Sequence, residues 1–167
     1  MIDDLPSLWL LSDKRNDARL ETALEALPGN SGFVFRHYHL DPPARRARFD
    51  QLAPIARRCG HVVLLSRACG WGEDGCYGAQ PPASGLWLAT AHNAVELADA
   101  ARSGAQGAFL SPVFPTASHP GADVLGAPGF RALAAASPLP VIALGGMTRD
   151  RAKELEWPRW GAIDGLA

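Results

Sequence analysis

The chain has 167 residues, 47% of them hydrophobic, with 16 Lys and Arg against 17 Asp and Glu and a net charge of −1. That length is enough for a substantial core in a single domain, 1–167, and the balanced charge argues against nucleic acid or a polybasic membrane contact. No apolar run approaches the roughly 20 residues of a membrane span, and no basic stretch precedes a long apolar one at the start, so a cytoplasmic protein is expected.

Leu8–Ser12 is a compact apolar run and reads as a first strand. Asn16 or Asp17 would cap a helix whose Leu20, Ala23, Leu24 and Leu27 share a face, and Pro28-Gly29 would stop it. Gly32–Arg36 is the second strand. A helix is expected from about Pro43 to Cys59, with Leu52, Ile55, Ala56 and Cys59 inward and Arg45, Arg46, Arg48, Arg57 and Arg58 solvated. Pro54 argues against that helix being straight. His37, Tyr38 and His39 read as a polar loop.

His61–Ser66 is a third strand, followed by a glycine-rich stretch too short for a full helix. Cys76-Tyr77 is a short fourth strand and Leu86–Ala89 a fifth. Asn93 with Glu96 resembles a capping box, ahead of a helix with Ala94, Val95, Ala98 and Ala101 on its apolar face and Gly104 at its end. Cys59, Cys69 and Cys76 are odd in number and lack CxxC spacing, which reads as reduced thiols, not a disulfide framework or a zinc site.

Gly107–Thr148 carries the most information. The runs Ala108–Leu110 and Pro140–Leu144 flank a Pro/Thr/Ser/His loop and an amphipathic segment with Ala127, Phe130, Leu133 and Ala134 at helical spacing. Run, loop, helix, run is a βαβ unit with a buried parallel sheet. The second run ends in Gly145-Gly146, with Thr148 as N-cap of the next helix. Glycines at a strand end leave backbone N–H groups uncrowded, which suits a phosphate, and Thr116, Ser118 and His119 stand on the preceding loop as further donors. Thr148 opens a helix through Leu155, closed by Trp157-Pro158, and Gly161–Ala167 begins an eighth strand. Eight apolar runs among these helices predict an α/β (β/α)₈ TIM barrel, shortened, with reduced or missing helices after strands 3 and 8. An open doubly wound sheet is the other reading that periodicity allows.

The run SPVFPTASHPGADVLGAPGFRALA followed by PLPVIALGGMT resembles the second half of the thiamine-phosphate synthase / thiazole tautomerase family, with its V-F-x-T loop and G-G-[IM]-T turn. A fainter resemblance covers the rest. Leu8–Asp13 is similar to the family's LYLITD strand, and Arg36-His37-Tyr38 stands where it has R-E-K. Leu65-Ser66-Arg67 stands at N-D-R, Tyr77–Pro82 at H-L-G-Q-x-D, and Ala89–His92 at G-V-S-x-H.

The resemblance implies a protein of thiamine biosynthesis that binds a thiazole phosphate through Thr90, Thr116, Ser118, His119, Gly145 and Gly146, with Arg36 and His92 nearest the chemistry. The synthase reaction releases diphosphate, so the family implies Mg²⁺ held by carboxylates. Ser66 and Pro82 fall where those carboxylates belong, the family's lysine on strand two is absent, and no metal ligand is expected here. Tautomerisation needs no metal, but the histidine expected before V-F is Pro112. The implied activities are therefore a synthase-type transferase, a metal-free tautomerase, or a non-catalytic phosphate-binding relative. Trp157 and Trp160 are expected to cover the end of the barrel, or, if exposed, to offer a homo-oligomer surface.

Overall fold

A computed structural model of the chain describes residues 4–67 and 70–167. The apolar runs form eight short strands: β1 Leu8–Leu11, β2 Gly32–Phe35, β3 Val62–Ser66, β4 Gly75–Tyr77, β5 Leu86–Ala91, β6 Gly107–Leu110, β7 Val141–Ala143 and β8 Trp160–Ala162. Each pairs in parallel with the next, and Leu8, Trp9 and Leu10 of β1 pair with Trp160, Gly161 and Ala162 of β8, so the sheet closes into a barrel. Around it lie α1 Leu20–Ala26, α2 Pro42–Arg58, α3 Ala94–Arg102, α4 Gly126–Ala136 and α5 Arg149–Leu155. The open doubly wound sheet is thereby excluded.

The trimming follows composition. Among the described residues the β3–β4 connection carries no helix, and neither does 78–85 between β4 and β5, where Gly and Pro are concentrated. A 3₁₀ turn, Asp164–Leu166, follows β8. The reduction expected after strand three thus extends to the following connection as well.

The barrel interior is filled by one residue or two from every strand but β8: Trp9, Leu11, Val34, Leu64, Tyr77, Leu88, Phe109 and Ile142. Trp9 is its centre. Its ring meets Phe109 edge-on, with centroids 5.5 Å apart, and its indole N–H donates to the Pro6 carbonyl at 2.7 Å. A Cβ on Gly32 would lie 2.1 Å from that ring, so the glycine that opens β2 is what makes room for the tryptophan. Two further clusters pack the helices on the outer strand faces, one around Leu20, Leu24, Phe49 and Leu52, the other around Leu97, Ala100, Phe130 and Leu155.

Several local expectations are corrected. The eighth strand ends at Ala162, and 163–167 turn away from the sheet. Asp13, not Asn16 or Asp17, caps the entry to the first helix, through a 3₁₀ turn over Lys14–Arg19. Asn16 is buried and uses its amide to bond Leu11 O and Ile163 O, tying the ends of β1 and β8 together. In α2, Arg45 is buried and Arg48 nearly so, because both reach carbonyl and carboxylate partners. The helix continues through Pro54, and its buried face is Phe49, Leu52, Ala53 and Ala56. In α3 the buried positions are Leu97 and Ala100, while Val95 is exposed. Asn93 caps that helix, but Glu96 turns its carboxylate to His92 and not to the cap residue. Trp157 is half-buried against Phe130 and donates to Val141 O, so it seals the α4–α5 layer and not a barrel end. Cys59 is half-buried and Cys76 buried; Cys69 lies outside the described residues. Among the described residues no helix is long and apolar enough to cross a membrane.

Candidate ligand-binding site at the barrel mouth

In (β/α)₈ barrels the C-terminal strand ends and the loops that follow them form the working face. Here that face encloses a cavity of about 1060 Å³. Every site residue expected from the sequence lines it: Arg36, Thr90, His92, Thr116, Ser118, His119, Gly145 and Gly146. The cavity has two unlike walls.

The first wall is backbone. Gly145 and Gly146 follow β7 with φ of +103° and +64°, a region that disfavours side chains. A Cβ on Gly145 would meet Pro112 at 2.7 Å, and one on Gly146 would meet Pro115 O at 2.3 Å. The turn is therefore pressed against the loop after β6. Val113 and Phe114 donate to Leu144 O and Gly145 O, both at 3.0 Å, and lock the two segments together. Among the described residues no acceptor takes the Gly145 or Gly146 N–H. Arg151 of α5 donates to Gly146 O at 2.5 Å and stacks on Phe114, its guanidinium carbon 5.1 Å from the ring centroid. Thr116 Oγ1 accepts from Ser118 N, and Ser118 Oγ accepts from Arg15, whose Nε also holds Asp164. His119 is exposed at the rim. His92, also exposed, is held at the opposite rim by Glu96 at 2.9 Å.

The second wall is side chain. Arg36 follows β2 and donates through Nε to Ser12 O at 3.0 Å, with Nη2 3.4 Å from Asp13. Behind it runs a directed relay. Arg36 N–H donates to Ser12 Oγ, Ser12 O–H to His37 Nδ1, and His37 Nε2–H to Asp17 Oδ1 at 2.6 Å. Residues 37–39 form the loop expected past β2, but His37 is fully buried within it, stacked on Phe35 with centroids 4.6 Å apart. Burial pushes its pKa below the usual histidine value, against the opposing pull of Asp17, and keeps it neutral. Burial alone would raise the Asp17 carboxyl, but hydrogen bonds from His37 and Arg48 outweigh it and hold it below the ordinary range. The hydrogen bond from Arg48 likewise lowers Glu21. Tyr77 forms part of the floor, and burial raises its phenol to about 12, so it stays protonated.

Residues 84–159 match the family model described as thiamine monophosphate synthase. Over these residues the chain is similar to the thiamine monophosphate synthase family. No curated protein matches the sequence. Among solved structures, thiamine phosphate pyrophosphorylase from Pyrococcus furiosus is similar at a TM-score of 0.79 with 20% identity, over 98% of this chain and 87% of that one. A FabK mutant from Thermotoga maritima follows at 0.67 with 14% identity, over 98% and 63%. A native KDPGal structure follows at 0.57 with 13%, over 96% and 84%. At these identities the structural likenesses establish the fold.

The thiamine monophosphate synthase family implies Mg²⁺, and the donors present do not fit it. Ser66 and Pro82 line the cavity where the resemblance places carboxylates. The acidic residues that do line it are Asp123 and Asp164, and Asp164 is already held by Arg15. Among the described residues no three His, Cys, Asp or Glu are grouped to hold a metal ion. Pro112, where the tautomerase pattern has a histidine, packs beneath Gly145 instead.

Sequence reasoning missed Arg15, Tyr38, Arg67 and Arg151 as residues of the mouth. Arg151 stands three residues beyond the Thr148 N-cap, a spacing that returns its side chain to the glycine turn; nothing local marks Arg15.

Proposed function

We propose that the chain is a thiamine-phosphate-synthase-like protein that binds a thiazole phosphate at the C-terminal end of its barrel. One observation carries the reading: the Gly145-Gly146 turn lines the mouth cavity, and among the described residues no acceptor takes its N–H groups. Backbone N–H groups converging at a turn favour a phosphate, and the hydroxyl of Thr116 and the guanidinium of Arg151 stand beside them. The apolar lining between the walls, with Pro112, Leu144 and Ile163, suits a heterocycle. Thr90, Ser118 and His119 complete the rim of the phosphate pocket. Arg36 is the cation, and His92 the titratable group, nearest the far end of such a ligand.

The magnesium-diphosphate half of the synthase site is missing from this reading, because Ser66 and Pro82 offer no carboxylate. A second reading, a phosphate-binding relative without synthase chemistry, is favoured by that same donor set. His92 is tied to Glu96, which also favours a binding role over a metal-free tautomerase.

Calorimetric titration separates these. Thiazole phosphate is expected to bind, whereas pyrimidine diphosphate with Mg²⁺ is expected to gain no affinity from the metal. Magnesium-dependent binding of the diphosphate, followed by thiamine phosphate formation, would restore the ordinary synthase.

A further inference from the structure

We infer that His37 is a proton-controlled positioning residue. While its ring is neutral it fixes Ser12, and through Ser12 the main chain and the guanidinium of Arg36; when the ring takes up a proton, Arg36 is released. The inference concerns the chain by itself and stands whether or not the mouth takes a thiazole phosphate.

Three observations converge. The first is the direction of the hydrogen bonds. The Asp17 carboxylate only accepts, so His37 Nε2, 2.6 Å away, carries the hydrogen, and a neutral ring leaves a lone pair at Nδ1. Ser12 Oγ, 2.8 Å from Nδ1, donates to that lone pair and accepts from Arg36 N–H at 2.7 Å. Among the described residues Ser12 Oγ bonds only these two groups. A proton at Nδ1 turns the acceptor into a donor. Ser12 Oγ then faces two N–H groups, and its own hydrogen loses its partner where no solvent reaches. An orphaned buried donor is costly, and the contact to Arg36 is what yields.

The second observation is placement. Ser12 holds Arg36 twice, since its carbonyl also accepts from Arg36 Nε at 3.0 Å. Arg36 lines the mouth, so this clasp sets where its guanidinium stands. The charged groups around the ring come from several elements. Asp17 belongs to the 3₁₀ turn; Arg48 of α2 lies 2.7 Å beyond it and is itself paired with Glu21 of α1. His39, from the same loop, is tilted against His37 with centroids 5.1 Å apart. From β1 only the neutral Ser12 meets the ring, and Asp13 beside it pairs with Arg36 at 3.4 Å. Burial opposes a proton on His37, with His39 and Arg48 adding to it against the pull of Asp17. The ring is therefore neutral at ordinary pH and charges only below the usual histidine value.

The third is backbone strain. His37 holds φ of +43°, a region that non-glycine residues adopt at a cost. The bonds to Ser12 and Asp17 enforce it. Once Ser12 lets go, relaxation of this residue carries Arg36 away from β1.

The test is amide hydrogen exchange of the full chain, read by NMR from neutral pH into mild acid alongside the His37 ring signals. The protection factor of the Arg36 amide is expected to fall about tenfold. Its midpoint should coincide with the His37 titration, below 6.5. The Leu144 amide, bonded to Leu110 O on the opposite wall, is the control and should keep its protection. His37→Asn suits a positive φ and does not titrate, so it should remove the step. Asp17→Asn withdraws the carboxylate that favours the charged ring, and should move the step to lower pH. Arg36 protection that stays flat through the His37 titration would overturn the proposal. So would a step that survives in His37→Asn, or a loss shared equally by Leu144, which reports global unfolding.

Discussion

The two walls of the mouth are made by opposite means. The β6–β7 wall is backbone: two glycines at positive φ, pressed within 2.3–2.7 Å of where a Cβ would meet Pro115 and Pro112. The β1–β3 wall is side chain: Arg36, Tyr38 and Arg67 in front, with Ser12, His37, Asp17, Arg45 and Arg48 behind. A backbone wall is stiff and tolerates almost no substitution at its glycines. A side-chain wall spreads its energy over a network, so single changes loosen it by degrees.

The sharpest way to break the contrast is at the glycines. Gly146→Ala places a methyl against Pro115 O at φ +64°, and should abolish orthophosphate binding and cost about 2–3 kcal/mol of stability. Calorimetry and denaturant unfolding read the two effects. A variant that binds normally would show that the turn does not hold the ligand.

Arg45→Met is next. It leaves the carbonyls of Arg36 and Ser66 without their donor, and should cost about 2 kcal/mol by denaturant unfolding.

Acid should act on the same wall. His37 has its pKa lowered from 6.5, so the folded state binds fewer protons than the unfolded chain just below that pH. Its contribution is complete above about 6.5 and declines as pH falls through the lowered value. Asp17 and Glu21, lowered from 3.8 and 4.5, extend the loss at still lower pH. Denaturant midpoints at neutral pH and in mild acid should fall in that order, and His37→Asn should flatten the first step. An unchanged slope in that variant would remove the relay from the account of stability.

The smallest effect is expected away from both walls. Arg58 and Glu25 form an exposed pair at 3.0 Å, and Glu25→Ala should shift stability by less than about 0.5 kcal/mol in a thermal melt.

Much of this was legible in the chain. Eight apolar runs foretold eight strands, and the Gly145-Gly146 turn was legible after the seventh of them, because a glycine turn between a strand and a helix is a local event. Asn93 and Thr148 were legible as caps for the same reason, since each bonds an N–H three residues on. The relay was not legible. Its members are 20 to 31 residues apart, and only the closing of β1, β2 and α2 brings them within bonding distance. Arg45 carried no mark that distinguished it from Arg46, since both lie in one basic helix. The sequence alone determined the order of the elements, the place of the glycine turn, and the absence of carboxylates at 66 and 82. Only the tertiary structure decided which charges would be buried and paired, because burial of an arginine depends on carbonyls and carboxylates supplied by other segments.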